Sequence, residues 1–282
     1  MEKMKSDLIY NFRKKAAAKL LPAVSSTDNK SRRGRSLLLA GSSQYPGAGV
    51  LAAKSALRMG SGYVVLAQKG INVSSLENPD FLVADLEQQH WQELKFDSIL
   101  VGPGFGVNDF TAQVIRDLKR RKFDKVILDA DAITVCAQQR LFPLLPSWII
   151  TPHAGELARC LNMDSSEIES DRHQAVLRGQ ELAGCIVLLK GHGTLVRNSR
   201  KTYRIMSGNS ALAKSGTGDV LAGMITALRA QNLTPTRAAL LGAYLHGACA
   251  NLWVARGKDE LSMMASDVIE LLPEVVHKVR TI

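Results

Sequence analysis

Asp219 is the residue around which chemistry can be built. It follows Ser215-Gly216-Thr217-Gly218 and runs directly into the apolar helical spacing of Val220, Leu221, Met224, Ile225 and Leu228. A junction of this kind leaves the first amides of a helix without partners inside the helix. Those amides, at the positive end of the helix dipole, form a site for an anion. Gly216 and Gly218 let backbone approach a phosphate closely because neither carries a Cβ. A carboxylate beside such a cradle repels the anion it holds. Asp219 is therefore either a helix cap or a general base that takes a proton from a hydroxyl attacking a phosphoryl group.

Further polar clusters follow apolar runs along the chain. Leu37-Leu38-Leu39-Ala40 leads into Gly41-Ser42-Ser43-Gln44-Tyr45-Pro46-Gly47-Ala48, and Ile99-Leu100-Val101 into Gly102-Pro103-Gly104-Phe105-Gly106. Val126-Ile127-Leu128 precedes Asp129-Ala130-Asp131, and Trp148-Ile149-Ile150 precedes Thr151-Pro152-His153-Ala154-Gly155-Glu156. Ile186-Val187-Leu188-Leu189 precedes Lys190-Gly191-His192-Gly193-Thr194. The apolar runs read as buried parallel strands, with Val64-Val65-Leu66-Ala67 as another. Helices are expected at about 8–21, 49–59, 109–121, 165–183, 217–230, 236–255 and 266–279, and a hairpin over 195–205. Alternating strands and helices imply an α/β fold with a mostly parallel sheet covered on both faces. Such sheets bind ligands at the C-terminal ends of their strands, where all these clusters fall.

The 282 residues carry a net charge of +10, of which residues 1–35 contribute +7. The chain is read as a basic N-terminal arm, 1–35, holding the first helix, and a single domain over 36–282. A basic arm can meet nucleic acid, but aromatics beyond Tyr10 and Phe12 are missing from it, and no nucleic-acid partner is expected. No apolar run approaches the ~18 residues that a membrane span needs, so no membrane partner is expected either. Cys136, Cys160, Cys185 and Cys249 lie far apart among apolar or small neighbours, as buried thiols do in a reducing, cytoplasmic setting. The charged start lacks the apolar core of a secretory signal.

Taken in order, six blocks resemble one family. They are Gly41-Ser42-x-x-Tyr45-x-Gly47-Ala48, Val101-Gly102-Pro103-Gly104-x-Gly106 and Leu128-Asp129-Ala130-Asp131-Ala132. Then come Thr151-Pro152-His153-x-Gly155-Glu156, Leu189-Lys190-Gly191-x-Gly193-Thr194 and Gly216-Thr217-Gly218-Asp219, with Tyr244-Leu245-His246-Gly247 downstream. The series is similar to that of the ADP- or ATP-dependent NAD(P)H-hydrate dehydratases, a branch of the ribokinase-like fold, and covers about 36–280. The resemblance implies a three-layer α/β/α domain. It also implies repair of the S epimer of hydrated NADH or NADPH. A phosphoryl group passes from ADP or ATP to the ring hydroxyl, and phosphate is then eliminated to restore the reduced nicotinamide. AMP is released from ADP, or ADP from ATP.

The resemblance also assigns residues. Asp219 becomes the catalytic base, with the amides of Gly216, Thr217 and Gly218 as an anion hole. Lys190, Gly191, His192, Gly193, Thr194 and Gly218 contact the nucleotide, His192 as a loop residue of that block. Ala48, Gly104, Gly106, His153 and Asp219 contact the hydrated dinucleotide. Asp129, Asp131 and Glu156 are candidates for Mg²⁺, directly or through water; Asp131 has helix capping as its other reading. His246 reads as a packed core histidine. Lys214-Ser215 departs from the small residues usual before Gly216. The epimerase domain often fused to the family has no room before residue 36, so a stand-alone, homo-oligomeric dehydratase is expected, a tetramer among the candidate assemblies. The rival is a kinase of the same fold acting on a sugar, pyrimidine or thiazole alcohol, because the Gly-x-Gly-Asp block serves both.

Overall fold

The computed structural model describes residues 8–69 and 80–281. One ten-stranded sheet, in the order β1-β10-β9-β8-β7-β6-β5-β2-β3-β4, runs through the molecule. Its strands are β1 (Ile9–Phe12), β2 (Arg35–Leu39), β3 (Tyr63–Gln68), β4 (Leu82–Asp85) and β5 (Ser98–Val101), followed by β6 (Val126–Leu128), β7 (Ile149–Ile150), β8 (Ile186–Leu189), β9 (Leu195–Arg197) and β10 (Thr202–Ile205). Every pairing is parallel except those of β9, which runs against both β8 and β10.

Alternation along each strand assigns its side chains to two cores. Leu38, Leu100, Ile127, Ile149 and Leu188 face one layer of helices. Leu37, Leu39, Ile99, Val101, Leu128 and Leu189 face the other. Because both faces are covered, a run such as Leu37-Leu38-Leu39 is fully buried, and each leucine contributes roughly 1.5–3 kcal/mol through its burial. The first layer holds α2 (Pro46–Arg58), α8 (Thr217–Ala230), α9 (Pro235–Ala255) and α10 (Ala265–Arg280). The second holds α3 (Asp109–Arg120), α4 (Asp131–Gln138), α5 (Ala154–Leu161), α6 (Ser165–Ser170) and α7 (Arg172–Ala183). The expected three-layer α/β/α arrangement is the observed one. Helices α2 and α8 touch through backbone, since a Cβ on Gly223 would come within 2.2 Å of the Ala52 carbonyl oxygen.

The expected helix over 8–21 is not formed. Residues Ile9–Phe12 instead extend β10 in parallel, and only α1 (Lys14–Ala18) is helical. The reason lies in the hairpin that precedes it in space. Strand β10 presents an open edge, and an unpaired edge invites a partner strand. Phe12 then inserts into the core and meets the Tyr244 ring edge-on at 6.0 Å.

The helix expected over 165–183 is split at Asp171, whose side chain accepts from the Gln174 amide at 3.0 Å and starts α7 anew. Strand β4 adds an edge strand that the sequence pattern does not predict. Helix α9, 21 residues long, is also long and apolar enough to cross a membrane by length and composition, contrary to the sequence reading. Its apolarity serves the core here, because 72% of its most apolar stretch is buried inside the fold.

Candidate active site

The C-terminal edges of β2, β5, β6, β7 and β8 all open to one side, and the polar clusters collect there. Close approach is permitted by glycine at the points where chain meets chain. Gly102 has φ 132°, and a Cβ on it would lie 1.9 Å from the Asp129 carbonyl oxygen. Ala130 adopts φ 49° and ψ −117°, a conformation costly for a residue with a Cβ. That strained turn lets Asp129 end β6 while Asp131 opens α4.

Asp129 is 1% exposed and lies at the centre of the cluster. Its Oδ1 accepts from Lys190 Nζ at 2.7 Å and from Thr151 Oγ1 at 2.7 Å. Lys190 Nζ also lies 3.8 Å from Glu156 Oε2. Burial alone would lower the ammonium's pKa, but the charges of Asp129, Glu156 and Asp219 overcome it and raise the value. Lys190 therefore remains a fixed cation.

Asp219 stands in the first turn of α8. Burial raises its pKa first and repulsion from Asp129 next. Lys190 pulls the value down, Glu156 and Asp131 push it up again, and the carboxyl settles at about 7. A carboxyl poised there accepts a proton far more readily than an ordinary aspartate of lower pKa. The turn before it is held by Gly216 at φ 88° and by the Thr217 hydroxyl, which is 2.9 Å from the Leu212 and Lys214 carbonyls. The Thr217 amide is engaged with Lys214 O at 3.4 Å. The Gly218 and Asp219 amides that follow have no preceding helical turn to bond. A Cβ on Gly218 would stand 3.3 Å from Lys190 Nζ, so glycine keeps open the space between cation and cradle.

Beside this cradle lies a cavity of about 390 Å³. Lys190, Gly191, His192, Gly193, Thr194, Thr217 and Gly218 all line it, so the residues assigned to the nucleotide block and part of the anion hole share one wall system. Its other side comes from Ser207, Gly208, Asn209 and Leu212, together with Ala243, His246 and Gly247 of α9. Of these, only His246 and Gly247 fall in a stretch singled out in the sequence; the others reach the site through the β9–β10 hairpin and a helix far along the chain.

The dinucleotide assignments form a neighbouring group. A Cβ on Gly104 would be 3.2 Å from the Ala48 Cβ, so the first two blocks touch. The Gly106 amide donates to Asp131 Oδ2 at 2.8 Å. His153 caps α5: its Nδ1 accepts from the Glu156 amide at 3.3 Å, and the Glu156 carboxylate accepts from the His153 amide at 2.8 Å. Its imidazole is 54% exposed and so remains accessible from outside.

The three carboxylates expected to meet Mg²⁺ do not close into a cage, and among the described residues no group of three His, Cys, Asp or Glu side chains does so. Asp129 accepts from the Lys190 ammonium, Glu156 from the His153 amide and Asp131 from the Gly106 amide. Two further residues were not foreseen. Arg172 donates to the Leu189 and Lys190 carbonyls at 3.2 and 3.1 Å and lies against Gly191, fixing the end of β8. His246, read as a core histidine, is buried as expected but also bonds the glycine turn that opens α8, with Nε2 2.9 Å from Thr217 O. Lys214 is exposed. Cys136, Cys185 and Cys249 are buried free thiols, whereas Cys160 is half-buried rather than enclosed.

The family described as NAD(P)H-hydrate dehydratase matches residues 36–274. A bifunctional NAD(P)H-hydrate repair enzyme of Vibrio cholerae is 33% identical over 267 residues, 92% of this chain and 52% of that protein. This chain thus spans about half the length of such relatives. Among solved structures, the ADP/ATP-dependent NAD(P)H-hydrate dehydratase of Bacillus subtilis, co-crystallised with ATP/Mg²⁺, superposes with a TM-score of 0.83 at 28% identity, covering 96% of this chain and 99% of that one. A ribokinase-like superfamily protein of Enterococcus faecalis gives a TM-score of 0.84 at 26% identity, with 96% of each chain covered. The ten-stranded frame, the cradle at the head of α8 and the match over residues 36–274 lead to one conclusion: the chain belongs to the NAD(P)H-hydrate dehydratase family.

Proposed function

We propose that this chain restores hydrated NADH and NADPH to their reduced forms at the expense of ADP or ATP, with Asp219 as the base. The observation that carries this reading is the Asp219 carboxyl, held at about 7 beside an anion cradle and within the field of Lys190. In the proposed sequence Asp219 takes the proton of the ring hydroxyl, and the freed oxygen attacks the terminal phosphorus of the nucleotide. The bond from that phosphorus to the departing AMP or ADP breaks. The ring nitrogen's electron pair then expels phosphate, and loss of a proton from the adjacent carbon forms the double bond. Phosphate leaves where hydroxide would not, which gives the nucleotide its chemical purpose.

In this reading the nucleotide occupies the 390 Å³ cavity, its phosphates between Lys190 and the first amides of α8. Ala48, Gly104, Gly106 and His153 hold the dinucleotide on the neighbouring side. Preorganised donors of this type stabilise charge that develops in a transition state. Mg²⁺ would be met by Asp129, Asp131 and Glu156 through water, most of its ligands being phosphate oxygens and water; when bound it neutralises phosphate charge. The setting proposed is a reducing cytoplasm, which the free thiols support.

The test uses acid-hydrated NADH with ADP and, separately, ATP. Absorbance of the reduced nicotinamide and released phosphate should rise in equal amounts, and the faster donor identifies the preference. A stable phosphorylated alcohol accumulating in place of NADH overturns the reading in favour of a kinase.

A further inference from the structure

Helix α9 carries Tyr244-Leu245-His246-Gly247 along its buried face. Both walls of the nucleotide cavity rest on this stretch. One wall is the segment after β10: Ser207 Oγ donates to the Tyr244 carbonyl at 2.8 Å. A Cβ on Gly247 would come within 2.6 Å of the Ser207 carbonyl carbon, so glycine lets that segment lie against the helix. The other wall is the phosphate turn, reached by His246 Nε2 at 2.9 Å from Thr217 O.

A carbonyl only accepts hydrogen bonds, so Nε2 carries the hydrogen. Burial holds the ring's pKa down at about 4, and near neutral pH it is an uncharged imidazole with the Nε2–H tautomer. The partner oxygen has a particular consequence. The Thr217 carbonyl and the Gly218 amide belong to one rigid, planar peptide unit. Fixing the oxygen on one side of that plane fixes the direction of the Gly218 N–H on the other. Thr217 opens α8, so its carbonyl also joins the helical ladder, and His246 is a second donor to it from outside the helix; the Thr217 hydroxyl bonds Leu212 and Lys214. An imidazole inside an apolar helix carries a desolvation cost that a leucine avoids, and the bond to the turn offsets it.

We propose that His246 is a positioning residue of the nucleotide site, aiming the Gly218 amide at the phosphates through the Thr217 carbonyl. The proposal rests on the nucleotide-dependent reading of the cavity and extends it to a residue that touches neither phosphate nor ring hydroxyl.

The experiment compares the wild-type chain with His246→Leu and His246→Gln, the latter placing an amide N–H near the Nε2 position. Affinity for ADP and ATP is measured by calorimetry without turnover, alongside Tm and affinity for hydrated NADH. His246→Leu should weaken ADP about tenfold and leave hydrated NADH within twofold, while His246→Gln stays within threefold of wild type for both. A folded His246→Leu protein that binds ADP as wild type does overturns the proposal. So does a His246→Gln protein as impaired as the leucine variant. Should the leucine variant fail to fold, ¹⁵N resonances of the wild-type ring decide: a neutral Nε2–H tautomer at pH 7 supports the proposal, and an Nδ1–H or charged ring overturns it. Nucleotide affinity is read without catalysis, so a wild-type chain that binds ADP but fails on hydrated NADH sinks the dehydratase reading alone.

Discussion

Lys190 Nζ lies 2.7 Å from Asp129 Oδ1, the two residues following β8 and β6 on either side of β7, with Glu156 Oε2 3.8 Å away. One ammonium thus serves two buried carboxylates while also facing Asp219. The cluster holds more negative than positive charge before any nucleotide arrives. Burial first and that imbalance second hold the Asp219 carboxyl at about 7.

Replacing Lys190 with methionine keeps the length of the side chain and removes its charge. Breaking a buried pair by deleting one partner costs about 3–5 kcal/mol, so Lys190→Met should unfold at clearly lower denaturant concentration. Lys190 also draws the Asp219 pKa down, so any residual activity should show its pH inflection above that of wild type. An unshifted inflection would show that the ammonium and the base are not coupled.

Asp219→Asn retains size and hydrogen-bonding capacity while removing the base. Turnover should fall by at least about 10²-fold, the lower end of what general-base catalysis supplies. Nucleotide affinity should hold or rise, since a negative charge beside the phosphates has gone. Asparagine caps helices about as well as aspartate, so a capping role alone predicts unchanged turnover. Turnover and calorimetry on the same preparation separate the two roles.

The dependence on pH follows from the raised Asp219 value. As a base it works ionised, so kcat/KM should climb with pH through about 7 and then level off. Stability runs the other way. The folded state keeps the Asp219 proton up to about 7, whereas the unfolded chain releases it near the ordinary 3.8. Between those values the folded state binds more protons, so this group's contribution to stability falls as pH rises. Asp219→Asn should therefore gain on wild type between pH 4 and pH 8 by on the order of a few kcal/mol. Urea titrations at the two pH values measure the difference, and equal gaps would mean that the carboxyl is not perturbed.

Phe12 links the basic N-terminal segment to the body. It is 6% exposed and packs on Tyr244, in the helix stretch that supports the cavity beside α8. Phe12→Ala should cost about 3–5 kcal/mol, the usual range for a buried aromatic, with a matching loss of Tm. A surface arm would instead tolerate the change within about 0.5 kcal/mol.

Much of the site could be read from the residues alone. Small residues and glycines after apolar runs have few physical uses other than tight turns, and a parallel sheet must deliver those turns to one edge. The order of the blocks, the α8 start at Thr217 and the central place of Asp219 were legible for that reason. The start of the chain was not. Ile9–Phe12 is a strand only because β10 offers an open edge, a fact of the folded hairpin rather than of local propensity. The carboxylates of Asp129, Asp131 and Glu156 looked equally free for a cation in the sequence. The fold gives Asp129 an ammonium from residue 190, Asp131 the Gly106 amide and Glu156 the His153 amide, partners that the sequence does not reveal. His246 shows the same division. Its apolar neighbours in α9 determined that it would be buried, but a partner 29 residues away determined what the burial is for. Local pattern determines where a chain turns and which face it buries. Hydrogen bonds and charge pairing between distant residues depend on distances that exist only once the sheet has assembled.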